Sequence, residues 1–252
     1  MTVSKPQKTS KILFLDLDDT LYHKSSGVAS CVSQRIGQYL REVLKIEDAD
    51  KKAYDLYQQW GTTLKGLLEE GYDIDPIEFY KYVHSGFDID DKITKDDIKL
   101  QNLLIKLRKS HPVESFDFKI FIFTNADRRH CFRFVDHLNI RQLVDGFICF
   151  EDMLLLCKPH PDSFHAALKM ALKVEYQEAV RQHGEANVGK WWENWEVYFA
   201  DDNINNVKAA IDYGWKVVWV QESGNSNVEG VTQVRSILEI ENIFPELFNA
   251  SQ

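Results

Sequence analysis

Asp16, Asp18 and Asp19 fall within four positions, directly behind the apolar run of "ILFLDLDDTLYH" (12–23). Carboxylates crowded in this way repel one another and gain nothing from apolar burial, so they persist where they are solvated, hydrogen-bonded or bound to a cation. Three further stretches bring polar groups to comparable places: Thr124 with Asn125 after "KIFIF", Lys158 in "CKPHP", and Asp201 with Asp202 after "EVYFA". Singly, each has an ordinary reading, since a Thr caps helices, a Lys before Pro is a solvated loop residue and an Asp pair complements a helix dipole. Together they suit phosphoryl transfer. Asp16 can attack phosphorus to form an aspartyl phosphate, provided a divalent cation and a positive side chain offset repulsion between the two anions. Lys158 supplies that charge, and Asp202 supplies a hard oxygen ligand of the kind Mg2+ takes. Asp18 lies on the same side of an extended segment as Asp16, where it can protonate the leaving oxygen and then deprotonate the hydrolytic water. Thr124 and the Asn125 backbone N–H can hold phosphate oxygens.

The elements that must position these groups are five short apolar runs, read as strands: 11–16, 119–124, 146–150, 196–200 and 216–221. Their near-continuous hydrophobicity is that of parallel strands covered on both faces. Helical stripes separate three of them from the next: Cys131, Phe134, Val135 and Leu138, then Phe164, Ala167, Leu168 and Ala171, then Val207, Ala210 and Ile211 before Gly214. Alternation of this kind predicts an α/β fold with a Rossmann-like parallel sheet, and ligands bind such sheets at the carboxyl ends of the strands. In this reading Lys158 follows an inner strand. The interval from 24 to about 110 breaks the alternation with helical patterns alone, including the stripe Val28, Val32, Ile36, Leu40 and Val43 and the turn "GYDIDP". The expected organisation is a core of residues 1–23 and 96–252 with a helical cap, 24–95, inserted after the first strand. Residues 100–108 read as the helix that returns to the sheet, and "SILEIENIFPELF" as a last helix. The three tryptophans of 174–196 read as a satellite cluster over the sheet edge.

Composition narrows the class of partner. A chain of 252 residues with 44% hydrophobic and 27% charged residues can bury a large core, and its net charge of −9 disfavours nucleic-acid polymers and anionic membranes. Cys31, Cys131, Cys149 and Cys157 form no CxxC pair, which argues for free thiols in a reducing compartment. "MTVSKPQKTSK" has no apolar segment after its lysines, and no later run approaches membrane-spanning length, so a cytoplasmic protein with a short mobile tail is expected.

The motifs, in this order, resemble those of the haloacid dehalogenase superfamily of phosphatases: "DLDDT", "FTNA", "CKPHPDSF" and "FADDNINN", spread over about residues 11–221. "LDLDDTLYHKSSG", "WGTTLKGLL", "FIFTNAD", "GFICFED" and "FADDNINN" together are similar to the pyrimidine 5'-nucleotidase group within it. The resemblance implies a haloacid dehalogenase-like core with an inserted cap. Asp16 is then the nucleophile, Asp18 the acid/base, Thr124 and Lys158 the phosphate binders, and Asp16, Asp18, Asp202 and Asp201 the Mg2+ site, with Asp18 acting through its backbone carbonyl. Asn206 stands where many relatives have another acid, which implies weaker or reoriented metal binding. The implied substrate is a small phosphate ester, a pyrimidine nucleotide such as UMP or CMP, or else a sugar or glycerol phosphate. The cap offers Tyr57, Trp60, Thr62 and Lys65 as a pocket for its leaving group, with the stretch from Asp127 to Arg129 as a further candidate.

Other chemistries fit less well. A dehalogenase needs neither the metal nor a second acid, and the order Asp, Thr, Lys, Asp-Asp differs from that of a phospho-receiver module. A calcium loop starting at Asp16 would have Leu21 and Gly27 where Gly and Glu are required. A catalytically silent interaction protein is the remaining non-enzyme reading. The oligomeric state is not legible.

Overall fold

The computed structural model describes residues 10–111, 117–153, 155–223 and 228–249, and the expected N-terminal tail lies largely outside them. Among the described residues, one parallel sheet contains β1 (Ser10–Leu15), β2 (Phe118–Phe123), β3 (Gly146–Ile148), β4 (Trp195–Asp201), β5 (Lys216–Val220) and β6 (Gln233–Val234). Their spatial order is β3-β2-β1-β4-β5-β6. Leu15 stands level with Ile122 and with Ala200, so β1, β2 and β4 end at the same edge.

Both faces of the sheet are covered, which is why its strands are apolar almost throughout. Leu13, Leu15, Ile120, Ile122, Tyr198 and Ala200 pack with α5 (Ile98–Ser110), α6 (Arg128–His137) and the C-terminal turns. Ile12, Phe14, Phe123 and Phe199 face α7 (Pro161–Ala171) and α9 (Ile204–Asp212). There Phe14 stacks on Trp215, ring centroids 5.0 Å apart, an arrangement that adds roughly 0.5–1.5 kcal/mol beyond area burial. Between α7 and β4 runs α8 (Lys173–His183), and Trp191, Trp192 and Trp195 pack against this second layer as the satellite cluster expected of them.

Residues 28–83 form α1 (Val28–Glu42), α2 (Ala49–Trp60), α3 (Thr63–Glu69) and α4 (Pro76–Val83), with no strand among them. Tyr39, Leu40, Leu56, Leu64, Leu67, Phe79 and Val83 build a separate core here, closed from the sheet side by Phe150 and Cys157. The helix starts are locally encoded. Thr62 accepts from Lys65 N at 3.1 Å, and Asp75, with Pro76 following, accepts from Ile77 N at 2.8 Å; each cap contributes about 1 kcal/mol.

Several expectations need correction. The strand before Lys158 is the sheet edge, not an inner strand, because among the described residues β3 pairs with β2 alone. The C-terminal segment is not one helix: Ile237–Glu239, α10 (Ile240–Ile243) and Pro245–Leu247 are three short turns, and Pro245 lacks the N–H that would continue a helix. Val43 and Ile211 complete helical stripes in sequence, yet they are 50% and 38% exposed. The four cysteines are free, and no helix among the described residues is long and apolar enough to cross a membrane.

Candidate active site

Asp16 follows β1 directly and its backbone N–H donates to Ala200 O at 2.9 Å, so the carboxylate emerges where β1 and β4 end together. It is nearly buried, and each oxygen has a donor: Lys158 Nζ at 2.8 Å on Oδ1 and the Thr20 hydroxyl at 3.0 Å on Oδ2. Lys158 is 1% exposed and also donates to Asp201 Oδ2 at 2.7 Å and Phe123 O at 2.6 Å. A lysine that follows an edge strand reaches the centre of the sheet because its backbone is clamped: Asn125 Nδ2 donates to Lys158 O, and Lys158 N donates to Asn125 Oδ1, both at 2.9 Å.

Thr124 is buried at the end of β2, and its hydroxyl oxygen accepts from Ala126 N at 3.0 Å, which leaves its O–H to donate into the cavity it lines. Asp201 ends β4, fully buried, accepting from Asn203 N at 2.8 Å and from Asn206 Nδ2 on both oxygens at 3.0 Å. Asn206 thus orients Asp201 as a donor, where an acid would add a further repulsion. Trp219 Nε1 donates to Asp202 O at 2.7 Å and fixes the next residue of the loop.

One ligand oxygen from each of Asp16, Asp201 and Asp202 can lie within 4.8 Å of the others. Burial raises Asp16 to about 7 against the lowering pull of Lys158, with Asp201 raising it further. Burial, then Asp201 and Asp16, push Asp202 well above the usual carboxylate range. Lys158 is raised despite its burial, by Asp16 and Asp201. Three carboxylates facing one ammonium leave excess negative charge in a confined space. A hard dication fits this donor set. The Asp18 carboxylate is not part of this cluster.

The Asp18 carboxylate instead meets Tyr22 and His130: Tyr22 OH donates to Oδ1, and His130 Nε2 lies 2.7 Å from the same oxygen. Burial would raise Asp18, but His130 and Tyr22 outweigh it and hold it down at about 2. Asp19 turns away with φ 57° and lines a different cleft, of about 310 Å3, between Lys24, Lys92 and Arg235. That cleft shares only Asp19 and Thr20 with the acidic motif.

The cavity above the carboxylates holds about 230 Å3 and joins Asp16, Asp18, Thr124, Asn125, Lys158, Asp202 and Asn206 to the helical insert. Val32, Ile36, Leu64, Phe79 and Val83 supply its apolar wall, Tyr57, Thr62, Tyr80 and His84 its polar points. Of the four pocket residues expected from the insert, Tyr57 and Thr62 line it. Lys65 pairs with Glu69 one turn along α3, and Trp60 packs into the insert's core, so neither does. Asp127 holds His84 Nδ1 and Arg128 pairs with Asp152, both outside the lining. Tyr22, Tyr80, His84 and His130 were not singled out from sequence. His130 had one available signal: it lies in the first turn of the helix after β2, where side chains point to the ligand edge of a parallel sheet.

The sheet, its order and its acidic edge are those of a haloacid dehalogenase-like hydrolase. A profile of that family matches residues 10–214, and the chain belongs to it. It is 31% identical over 216 residues to Phosphate metabolism protein 8 of Saccharomyces cerevisiae, an alignment that takes in 83% of this chain and 61% of the yeast protein. Among solved structures it is similar to a HAD phosphatase from Thermococcus onnurineus, with TM-score 0.57, 16% identity and coverage of 96% of this chain and 100% of that one. The putative HAD-hydrolase YfnB from Bacillus subtilis, crystallised bound to magnesium, matches with TM-score 0.53 and 16% identity over 94% and 99% of the two chains. L-2-haloacid dehalogenase from Xanthobacter autotrophicus matches with TM-score 0.51 and 16% identity over 94% and 99%. At these identities the structural likenesses speak for the fold alone.

Proposed function

We infer that the protein is a Mg2+-dependent phosphomonoesterase that works through an aspartyl phosphate on Asp16. The observation that carries this reading is the meeting of Asp16, Thr124, Lys158 and the Asp201–Asp202 pair beneath a cavity that also receives Asp18. Asp16, Asp202 and the Asp18 carbonyl would hold the metal, with Asp201 beside them. The metal would supply neutralisation of charge on the carboxylate and the phosphate. Thr124 would hold one phosphate oxygen, and Lys158 would turn toward another oxygen one of the three N–H groups it gives to Asp16, Asp201 and Phe123 O, leaving phosphorus facing Asp16. Asp18, an ionised carboxylate at neutral pH by virtue of its two donors, is ready as the base for the hydrolytic water. A phosphate dianion bound beside it raises its proton affinity, which is how the same group serves first as acid.

The insert, read as a cap over the sheet edge, sets the leaving group. A cavity of about 230 Å3 falls below the common range of about 300–1,000 Å3 for ligand pockets. Its apolar wall and few polar points suit a single-ring nucleoside, which favours UMP or CMP over purine nucleotides and keeps glycerol or sugar phosphates as the alternative. The chain spans 61% of the yeast relative's length, so that protein's role comes here only as support for phosphate chemistry. The deciding experiment measures kcat/KM with Mg2+ and after chelation for UMP, CMP, AMP, GMP and several sugar phosphates. Loss of hydrolysis on chelation and an advantage of about tenfold or more for pyrimidines are expected. Chelator-resistant activity would sink the mechanism, and a flat substrate profile would sink the nucleotidase assignment alone.

A further inference from the structure

His130 is 2% exposed, and no step of the mechanism uses it. Its ring lies between Phe134, at 4.3 Å between centroids, and His84 of the insert, at 4.1 Å. His84 is itself held by Asp127 and stacked on Tyr80, whose hydroxyl donates to Asn125 O at 3.0 Å. The ring therefore has little freedom to turn. Its Nδ1 is buried without a hydrogen-bond partner among the described residues. An ionised carboxylate can only accept, so Nε2 carries a hydrogen and gives it to Asp18. Tyr22 gives its hydroxyl hydrogen to the same oxygen, Oδ1. Both fixed donors thus occupy one oxygen of Asp18, and the half-exposed carboxylate keeps Oδ2 for the cavity.

We propose that His130 is the positioning residue for Asp18: by donating to Oδ1 it selects Oδ2 as the oxygen that moves the proton and holds it toward the leaving group. The proposal rests on the acid/base role given to Asp18 above. In the first half-reaction the Asp16–phosphorus bond forms as the phosphorus–ester oxygen bond breaks, and the proton passes from Asp18 Oδ2 to the departing alkoxide. His130 keeps its own proton throughout.

The test exploits leaving groups. kcat/KM reports the steps up to phosphoenzyme formation, and a p-nitrophenolate departs without needing a proton, whereas an alkoxide needs one. For His130→Phe, kcat/KM on the best alkyl ester among UMP, CMP and glycerol 3-phosphate is expected to fall about tenfold or more, against less than about threefold on p-nitrophenyl phosphate. His130→Gln, which returns an N–H near the position of Nε2, should recover most of the loss. His130→Asn, too short to reach Oδ1, should behave as His130→Phe and serves in its place if the latter does not fold. Equal losses on both substrates, or no loss, would overturn the positioning role. Asp18→Asn separates the two readings. If it shows no leaving-group selectivity, the acid/base role of Asp18 fails and this inference fails with it. If it is selective and the His130 variants are not, only the role of His130 falls.

Discussion

The sheet edge and the helical insert are built on opposite plans. At the edge, Asp16, Lys158 and Asp201 are buried and each held by two or more hydrogen bonds, and buried Thr124 is held by Ala126 N, so each has one place to be. The insert has its own apolar core, closed from the sheet side by Phe150 and Cys157, and its contacts with the sheet side include Tyr80 OH on Asn125 O, His84 on Asp127, Asn203 Nδ2 on Tyr57 OH at 2.6 Å, and Gly61 against Lys158. Reaction chemistry needs fixed charges in a poorly solvated place, whereas leaving-group selection needs a wall that can differ without disturbing them. The cavity lies along the seam between the two plans.

That contrast predicts where substitutions should hurt most. Asp16→Asn should remove measurable turnover, a loss of roughly three orders of magnitude or more, because an amide is a poor nucleophile. The protein should stay folded, as judged by circular dichroism. Retained turnover would show that the edge is not the reactive region. Next, Asp18→Asn should cost about a hundredfold or more in kcat, while Asp19→Asn, turned toward the other cleft, should cost little. Equal losses would erase the distinction between the two neighbouring carboxylates.

At the seam, Gly61 has φ +81°, and a Cβ there would lie 2.7 Å from Lys158 O and 2.8 Å from Pro159 Cδ. Backbone cannot yield as a flexible side chain does, so Gly61→Ala should displace the α2–α3 junction and raise KM severalfold, with a smaller effect on kcat. If kcat falls as much as 1/KM, the seam is part of the reactive region after all. The smallest effect is one of stability. Burial, with His130 beside it, lowers His84 from 6.5 to about 4. Between those pH values the unfolded chain binds a proton that the folded ring refuses, so stability is full above 6.5 and declines as pH falls toward 4. Chemical denaturation across this window should show the decline in the wild type and a flatter profile in His84→Phe. A flat wild-type profile would mean that the insert meets the core through a charged histidine.

Much of this contrast could be read without coordinates, because a buried parallel strand declares itself by its own residues and the group that follows it must lie at the ligand edge. Asp16, Thr124, Asp201 and Asp202 were found that way. The helices of the insert were equally legible, since the caps at Thr62 and Asp75 and the turn before Pro76 are local signals. The insert's pocket residues were not. Lys65 and Trp60 sit close to Thr62 in sequence, but one helical turn separates a side chain facing the cavity from one facing solvent or core, and the docking angle decides which is which.

Chain order and residue type by themselves determined the class of fold, the acidic edge and the chemistry it can support, because those depend on patterns within single strands and the helices between them. Only the tertiary structure decided that Lys158 reaches the sheet centre from behind an edge strand, held by Asn125, that Asn206 donates to Asp201, and that His130 and Tyr22 share one oxygen of Asp18. Lys158 meets Asp16 across 142 positions and His130 meets Asp18 across 112. The nearer pairs, Asn206 with Asp201 and Tyr22 with Asp18, take their geometry from how the strand ends and following helices pack on the finished sheet. No local pattern records that packing.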